Sequence, residues 1–101
     1  MEGLDIEEML NWYKDYDIFV YSATYCPYCD EAKTLAKSIK GISVGTLELD
    51  EIDDSVKQAL IAKTKQRTVP QVYVKGEFVG GCSDLKALNS SGKLKAKLGL
   101  D

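Results

Sequence analysis

A strand–helix–strand pattern in the first half of the chain constrains the fold more strongly than any other feature of the sequence. Residues 17–21 form a short run rich in apolar and β-branched side chains, which is typical of a buried strand. Apolar residues then recur at helical spacing over residues 32–39, Gly41 marks a stop, and residues 44–49 alternate as a second strand. A helix of this length permits a right-handed crossover between parallel strands. The pattern therefore predicts a parallel β-α-β unit.

The rest of the chain adds further helices and a pair of strands around this unit. Helical spacing and β-rich runs predict a helix at 3–15, a helix at 52–60, strands at 72–74 and 78–79, and short helices at 85–88 and 94–98. Gly76 lies between the last two strands and indicates a tight antiparallel hairpin. With 101 residues, the chain is long enough for one domain with a modest core. We predict that residues 1–101 form a single α/β domain with a four-stranded mixed sheet and helices packed on it.

Composition and charge exclude several classes of function. The chain carries 16 acidic and 13 basic residues, a formal net charge of −3, whereas nonspecific nucleic-acid binding needs a basic surface. No apolar run has the length that spans a bilayer, and the acidic sequence after Met1 lacks the apolar core of a signal peptide. We therefore expect a cytoplasmic protein that binds neither nucleic acid nor membranes.

Two of the three cysteines lie in the run Cys26-Pro27-Tyr28-Cys29, directly before the predicted helix. This spacing places Cys26 near the N-cap and Cys29 near the third helical position, so that their sulfurs lie on the same side of the helix. Pro27 suits the first helical position, where its missing N–H is not needed. The free N–H groups of the first turn and the helix dipole favour the thiolate of Cys26. We predict that a partly exposed Cys26 attacks and that Cys29, deeper in the helix, resolves the resulting mixed disulfide.

Two other interpretations of the cysteine pair stay open at this point. A structural zinc site needs four ligands, whereas Cys82 is the one further cysteine and the chain has no histidine. A pair of buried structural cysteines is the second alternative, because free cysteines are often buried. The missing histidine also excludes catalysis by Cys–His or Ser–His–Asp arrangements, which need an imidazole base. The strand before the pair and the helix after it favour a redox-active dithiol, and we expect no metal.

Three motifs, in order along the chain, carry a resemblance to a known family. They are the Cys26-Pro27-Tyr28-Cys29 run, then Thr68-Val69-Pro70, then Gly80-Gly81-Cys82-Ser83-Asp84. Over nearly its whole length, the chain resembles a glutaredoxin of the dithiol (Cys-Pro-Tyr-Cys) class. The resemblance implies a thioredoxin-like fold, with a four-stranded mixed sheet flanked by helices. It also implies the reduction of disulfide-containing and glutathionylated proteins, with glutathione as reductant and Cys26 and Cys29 as catalytic residues, and we expect a monomer.

The resemblance further implies a glutathione site built from all three motifs. Its expected residues are Tyr28, Gln66, Thr68, Val69, Pro70, Gly81, Cys82, Ser83 and Asp84. A cis bond before Pro70 is implied, which turns the Val69 backbone toward an extended thiol peptide, whereas a trans proline at a loop end is the alternative. Ser83 and Asp84 are expected to open a helix whose N–H groups hold the γ-glutamyl end, and Ser83 is expected to cap that helix.

The positive charge around this expected site depends on residues 65–67 and on the position of Ala23. Gln66 lies between Lys65 and Arg67, and in the family this stretch meets the glycyl carboxylate of glutathione; the alternative is a solvated helix end. Many family members carry a lysine three residues before the first cysteine, where this chain has Ala23. We therefore expect weaker activation of Cys26, or weaker glutathione binding, than in lysine-bearing relatives.

Further alternatives concern the third cysteine and the use of the site. We interpret Cys82 as a small buried residue beside the groove, and an oxidation-sensitive regulatory thiol is the alternative. Some glutaredoxins hold a [2Fe–2S] cluster between two monomers through the first cysteine and glutathione, so a cluster-binding dimer that uses Cys26 is the alternative function. Such relatives often carry Gly or Ser where this chain has Pro27. A reductase recycled by thioredoxin reductase is a third possibility.

Overall fold

The fold is built around a four-stranded sheet. The structure is a computed structural model that describes residues 5–100. The strands are β1 (Ile18–Ser22), β2 (Val44–Glu48), β3 (Gln71–Val74) and β4 (Glu77–Gly80). They lie in the order β2-β1-β3-β4, with β1 parallel to β2 and antiparallel to β3, and with β3 antiparallel to β4. The predicted β-α-β unit and the hairpin at Gly76 are confirmed.

Helices cover both faces of this sheet. Within residues 5–100 they are α1 (Ile6–Asn11), α2 (Pro27–Ser38), α3 (Asp54–Thr64), α4 (Cys82–Ser90) and α5 (Lys93–Leu98), with 3₁₀ turns at Trp12–Asp15 and Leu49–Glu51. The order of the elements agrees with the prediction. In this part of the chain, no helix combines the length and the apolar character that crossing a membrane requires.

Capping side chains determine where two of the helices begin. The sequence predicts a helix at residues 3–15, of which the first two residues lie outside the described part of the chain. Helix α1 begins at Ile6, because the Asp5 carboxylate accepts a hydrogen bond from the second helical N–H, and the chain changes to a 3₁₀ turn at Trp12. Helix α3 likewise starts after its predicted position, since the side chain of Asp53 caps it.

The apolar core lies on both faces of the sheet, because every residue of β1 is buried. Ile18 and Val20 pack with apolar residues of α2, α4 and α5. Phe19 and Tyr21 pack on the other face with residues of α1 and α3. A strand that is covered on both sides is apolar throughout rather than alternating, which agrees with the continuous run in the sequence.

The topology brings four connections to one end of the sheet. Because β1 and β2 are parallel and β3 is antiparallel to β1, the segments after β1, after β2, before β3 and after β4 lie at that end. These segments contain Cys26, the Leu49–Glu51 turn, the Val69-Pro70 bond and Gly81. Three motifs that are far apart in the sequence therefore meet in space.

Candidate active site

A groove of about 520 Å³ lies at this end of the sheet, between the first turn of α2, the loop before β3 and the start of α4. Its lining residues are Tyr28, Gln66, Thr68, Val69, Pro70, Gly81, Cys82, Ser83 and Asp84. These are all of the residues predicted to bind glutathione, and their binding role stays a prediction. Lys65 and Arg67 are exposed and lie outside this lining. A groove of this volume is in the range of small-molecule sites.

Cys26 caps helix α2 beside the groove. Its Sγ accepts a hydrogen bond from the backbone N–H of Cys29 at 3.2 Å, and Pro27 takes the first helical position, as predicted. The Cys26 sulfur also lies 3.8 Å from the carbonyl oxygen of Val69. That carbonyl precedes Pro70 in a peptide bond that is cis, as the resemblance implies. Donors in the first turn of a helix stabilise negative charge on a sulfur in this position.

Cys26 is more buried than the sequence predicts. Only 8% of its surface is exposed, because the side chain packs against Ala23, Cys29 and Val69. The prediction of a partly exposed Cys26 is therefore wrong in degree.

Cys29 is fully buried beneath the first turn of α2. Burial is the largest cause that raises the pKa of its thiol to about 12, and the hydrogen bond with Cys26 acts in the same direction. The Ala23 backbone and the Ser22 side chain lower the pKa of this thiol by smaller amounts. Cys29 is therefore a neutral thiol at neutral pH, whereas Cys26 receives a helix N–H. The two cysteines have the unequal environments that unequal roles require.

Two glutamine side chains hold the loop before β3, and one of them was not predicted from the sequence. Gln71 is 1% exposed, and its Nε2 donates to the carbonyl oxygens of Gln66 at 2.6 Å and Thr68 at 3.3 Å. Its Oε1 accepts a hydrogen bond from the Thr64 hydroxyl at 2.8 Å. The Gln66 amide in turn donates to the Thr68 carbonyl at 3.2 Å. A polar residue at the start of an otherwise apolar strand is the sequence signal for this role.

The start of α4 forms the third wall of the groove, and its cap differs from the prediction. The N-cap is Gly81, whose N–H donates to the Asp84 carboxylate at 2.9 Å, and the helix begins at Cys82. The prediction that Ser83 caps this helix is wrong, because the Asp84 carboxylate reaches back to the N–H ahead of the first turn. Gly80 permits this arrangement, since its φ is 118° and a Cβ there would overlap the Asp84 carboxylate.

The third cysteine is buried in the same wall. Cys82 is 6% exposed, and its thiol lies 3.9 Å from a carboxylate oxygen of Glu31, which also forms an ion pair with Lys86. Burial raises the pKa of the Cys82 thiol. The prediction of a small buried residue beside the groove is confirmed.

A smaller cavity of about 210 Å³ shares Val69 with the groove, and Ala23, Asp50 and Lys57 are among its lining residues. The Asp50 carboxylate accepts hydrogen bonds from the Thr24 N–H at 2.9 Å and from the Thr24 hydroxyl. These bonds lower the pKa of Asp50 and anchor the loop that leads to the cysteine pair. The short side chain of Ala23 leaves this cavity open beside the pair.

Comparison with known proteins agrees with this geometry. A family model described as glutaredoxin matches residues 18–79. The chain belongs to the glutaredoxin family. Glutaredoxin-C6 of Oryza sativa subsp. japonica is 46% identical to this glutaredoxin over 79 residues, which are 76% of this chain and 70% of the relative.

Solved structures show the same fold. The crystal structure of the buckwheat glutaredoxin–glutathione complex matches with a TM-score of 0.83 and 33% identity, and the match covers 93% of this chain and 86% of that chain. The solution structure of the dithiolic glutaredoxin 2-C-Grx1 from Trypanosoma brucei brucei matches with a TM-score of 0.77 and 31% identity, over 97% of this chain and 99% of that chain. This glutaredoxin therefore has a thioredoxin-like fold, and its family implies thiol oxidoreductase activity.

Proposed function

We propose that this glutaredoxin is a dithiol enzyme that reduces protein disulfides and glutathione mixed disulfides, with glutathione as the reductant. The observation that carries the proposal is the asymmetry of the cysteine pair beside the groove. The Cys26 sulfur accepts the Cys29 N–H at 3.2 Å, whereas the Cys29 thiol is buried and its pKa is raised to about 12. The Cys26 sulfur thus has a donor that favours its attack as a thiolate, whereas Cys29 stays a protonated thiol until the later step.

The groove supports glutathione as the molecule bound next to Cys26. An extended peptide in the groove can pair with the Val69 backbone as an added strand does, which brings its sulfur to Cys26. The N-terminus of α4 lies in the same groove, and free N–H groups at a helix start bind a carboxylate. The buckwheat relative was solved as a complex with glutathione, which supports the same ligand for this chain.

The chemistry proceeds as two exchanges at Cys26. The Cys26 thiolate attacks the glutathione sulfur of a glutathionylated protein, and the protein thiol leaves. A second glutathione then attacks the glutathione sulfur of that adduct, which releases glutathione disulfide and regenerates Cys26, so that this route uses one cysteine. For a protein disulfide, Cys26 forms a mixed disulfide with the substrate, and Cys29 then displaces the substrate thiol and forms a disulfide with Cys26, which is the step that needs both cysteines. Two molecules of glutathione reduce the Cys26–Cys29 disulfide and leave as glutathione disulfide.

The dithiol class is supported by the presence of both cysteines and by the likeness to the dithiolic glutaredoxin from Trypanosoma brucei brucei. Monomeric state and cytoplasmic location stay predictions from the sequence.

A glutathione-coupled assay with two substrates tests the proposal. We expect Cys29→Ser to keep most of the activity on a glutathionylated peptide and to lose the activity on a protein disulfide. Cys26→Ser should lose both activities, and the wild-type protein assayed on each substrate is the reference. Activity on either substrate that survives Cys26→Ser would falsify the assignment. Recycling by thioredoxin reductase instead of glutathione, with each donor supplied separately, would contradict the proposed reductant.

A further inference from the structure

The cavity of about 210 Å³ beside the cysteine pair has no part in the proposed reaction. Its walls come from the segment after β1, the segment after β2 and the start of α3, whereas the groove is lined mainly by the loop before β3 and the start of α4. In the sheet order β2-β1-β3-β4, the cavity therefore lies on the β2 side of Val69 and the groove on its β4 side. Because Val69 lines both, the two openings are continuous across one end of the sheet.

An extended polypeptide that pairs with the Val69 backbone is long enough to cover both openings. Alternate side chains of a strand point to the same face and lie about 7 Å apart. When a substrate cysteine faces Cys26, the side chains two residues before it and two residues after it therefore face the protein as well. Pockets for alternate side chains are the usual source of specificity when a strand is added. Glutathione has one residue on each side of its cysteine, so only a longer chain presents a side chain to the cavity.

The cavity combines apolar walls with an exposed aromatic ring. Ala23 is 2% exposed and Leu49 is 3% exposed, and together with the half-buried Ile52 they form an apolar surface. This surface suits the methylene groups of a long side chain. Tyr25 lines the same cavity and is 67% exposed, so its ring is accessible to a bound side chain. The face of a tyrosine ring attracts a cation.

The charges at the cavity also favour a cation. Asp50 and Asp54 contribute two carboxylates, and Lys57 contributes one ammonium group. Hydrogen bonds from Thr24 lower the pKa of Asp50, so this carboxylate is charged at neutral pH. The positive end of α3 is offset by its N-cap, since the Asp53 side chain accepts a hydrogen bond from a first-turn N–H at 2.9 Å. A basic side chain therefore complements both the apolar walls and the net charge of the cavity.

We propose that this cavity is a subsite for a lysine or arginine side chain of a disulfide-containing polypeptide substrate. The basic residue lies two positions from the substrate cysteine that faces Cys26, and its charged end meets Asp50 and Asp54. The subsite selects among polypeptides and leaves the reaction with small disulfides unaffected. It rests on the proposed function, because it needs a polypeptide disulfide that is reduced at Cys26.

Symmetric disulfides of short peptides test the subsite, because attack on either sulfur joins the same peptide to Cys26. Each peptide has one cysteine, and the residue two positions before it, or two positions after it, is lysine, glutamine or glutamate. The full-length protein is assayed with glutathione, and the rate without protein is subtracted. At one of the two positions we expect kcat/KM for the lysine peptide to exceed that for the glutamine peptide about threefold, as an exposed ion pair predicts. The glutamate peptide should have the lowest value.

Two charge variants of α3 have opposite expected effects on this lysine-to-glutamine ratio. Asp54→Asn removes one carboxylate and keeps an oxygen that can accept the hydrogen bond from Gln58, and it should lower the ratio to about one. Lys57→Gln removes the competing cation and should raise the ratio about twofold above the wild type. Lys57 is half-buried at the surface of α3, so this variant provides the test if Asp54→Asn does not fold. Asp50 is left unchanged, because it also anchors Thr24.

Matched controls separate the subsite from long-range attraction by the net charge of −3. Asp15→Asn and Lys14→Gln change the net charge by the same amounts as the two test variants. Both positions precede β1 and are exposed, so they lie at the opposite end of the sheet. These controls should keep the wild-type ratio. The disulfide of 2-mercaptoethanol, which is small and uncharged, measures the activity that does not involve the cavity.

The outcomes separate the subsite from the proposed function. Equal kcat/KM for the three peptides at both positions overturns the subsite, provided that the small disulfide is reduced, and the proposed function then stands. The subsite is also overturned if the ratio changes as much in Asp15→Asn and Lys14→Gln as in Asp54→Asn and Lys57→Gln, since net charge then explains the preference. If the wild-type protein with glutathione reduces neither the peptides nor the small disulfide, the proposed function fails and the subsite fails with it.

Discussion

The backbone N–H of Cys29 donates to the sulfur of Cys26 at 3.2 Å, so the residue proposed to resolve supplies a hydrogen-bond donor to the residue proposed to attack. The same residue keeps its own sulfur fully buried under the helix. A single turn of α2 therefore creates both the donor for one sulfur and the burial of the other. From this geometry we expect the two thiols to differ in reactivity.

Alkylation should distinguish the two thiols strongly. The pKa of the Cys29 thiol is raised from 9.0 to about 12, so at neutral pH Cys29 carries roughly a thousandfold less thiolate than a thiol with the ordinary pKa of 9.0. Burial further limits the access of reagents to Cys29. We expect iodoacetamide to modify Cys26 in the native reduced protein and to leave Cys29 unmodified, as followed by peptide mapping. The unfolded protein in denaturant is the control, and there both thiols should react. Equal alkylation rates of Cys26 and Cys29 in the native protein would contradict the burial of the Cys29 thiol.

Gly80→Ala should disturb the groove through Asp84. An alanine at φ 118° is strained, and its Cβ would overlap the Asp84 carboxylate that caps α4. We expect a loss of about 1–3 kcal/mol in the free energy of unfolding, together with weaker binding of glutathione. Gly76→Ala is the matched control, because Gly76 also has positive φ but has no atoms within 4 Å of an added Cβ. That control should lose about 1 kcal/mol and keep its glutathione affinity.

Ala23→Lys tests the effect of the lysine that many relatives carry. Ala23 is 2% exposed and borders the cavity of about 210 Å³, so a longer side chain has space to extend from this position. A cation beside the cysteine pair should raise the alkylation rate of Cys26 at pH 6, or the glutathione affinity, by about threefold. Ala23→Met has similar length without the charge and should produce neither gain. Unchanged alkylation and unchanged affinity in Ala23→Lys would count against the prediction.

Gln71→Leu should loosen the loop that carries the cis bond. The substitution removes the Gln71 donor from the carbonyls of Gln66 and Thr68, and the Thr68 carbonyl keeps its bond from the Gln66 amide. We expect a loss of about 1–3 kcal/mol in the free energy of unfolding and a KM for the glutathione mixed disulfide that rises several-fold. Gln58→Leu removes an exposed glutamine of α3 and is the control. A stable Gln71→Leu variant with unchanged KM would show that the amide does not hold this loop.

Asp17 should contribute stability that depends on pH. Hydrogen bonds from the Ser43 backbone and from Lys75 lower the pKa of Asp17 below 3.8, so folding favours its charged form. Its contribution is therefore present above pH 3.8 and is lost as the pH falls through the lower pKa of the folded state. We expect Asp17→Asn to lose about 1 kcal/mol at pH 7, a modest value because the pair is partly exposed.

Urea unfolding at pH 7 and at pH 2 measures this dependence. The difference between Asp17→Asn and the wild type should shrink at the lower pH, because the hydrogen bonds from Ser43 and Lys75 favour the charged form of Asp17 and protonation removes that charge. Asp15→Asn, at an exposed position two residues earlier, is the control. A difference of the same size at both values of pH would contradict the role of the charge.

Elements that depend on neighbouring residues were predicted well from the sequence. The continuous apolar run of β1, the helical spacing in α2 and the turn at Gly76 each depend on contacts that are close along the chain. The placement of Cys26 at the N-cap and of Cys29 at the third helical position is of the same kind, because helix geometry alone determines it. The prediction that Ser83 caps α4 was wrong because Ser83 and Asp84 both suit a helix start. Only the folded backbone shows that the Asp84 side chain makes the capping hydrogen bond.

The residues of the groove were identified through the family resemblance rather than through periodicity, since nothing in the local pattern brings Val69 next to Cys26. That contact requires the strand order β2-β1-β3-β4, which places the loop before β3 beside the end of β1. The sequence by itself thus determined the elements, their order and the helical position of the two cysteines, because these follow from local backbone geometry. Only the tertiary structure decided the burial of Cys26 and Cys29 and the loop contacts of Gln71. Burial and hydrogen bonding between distant segments exist only once the sheet has assembled and excluded water.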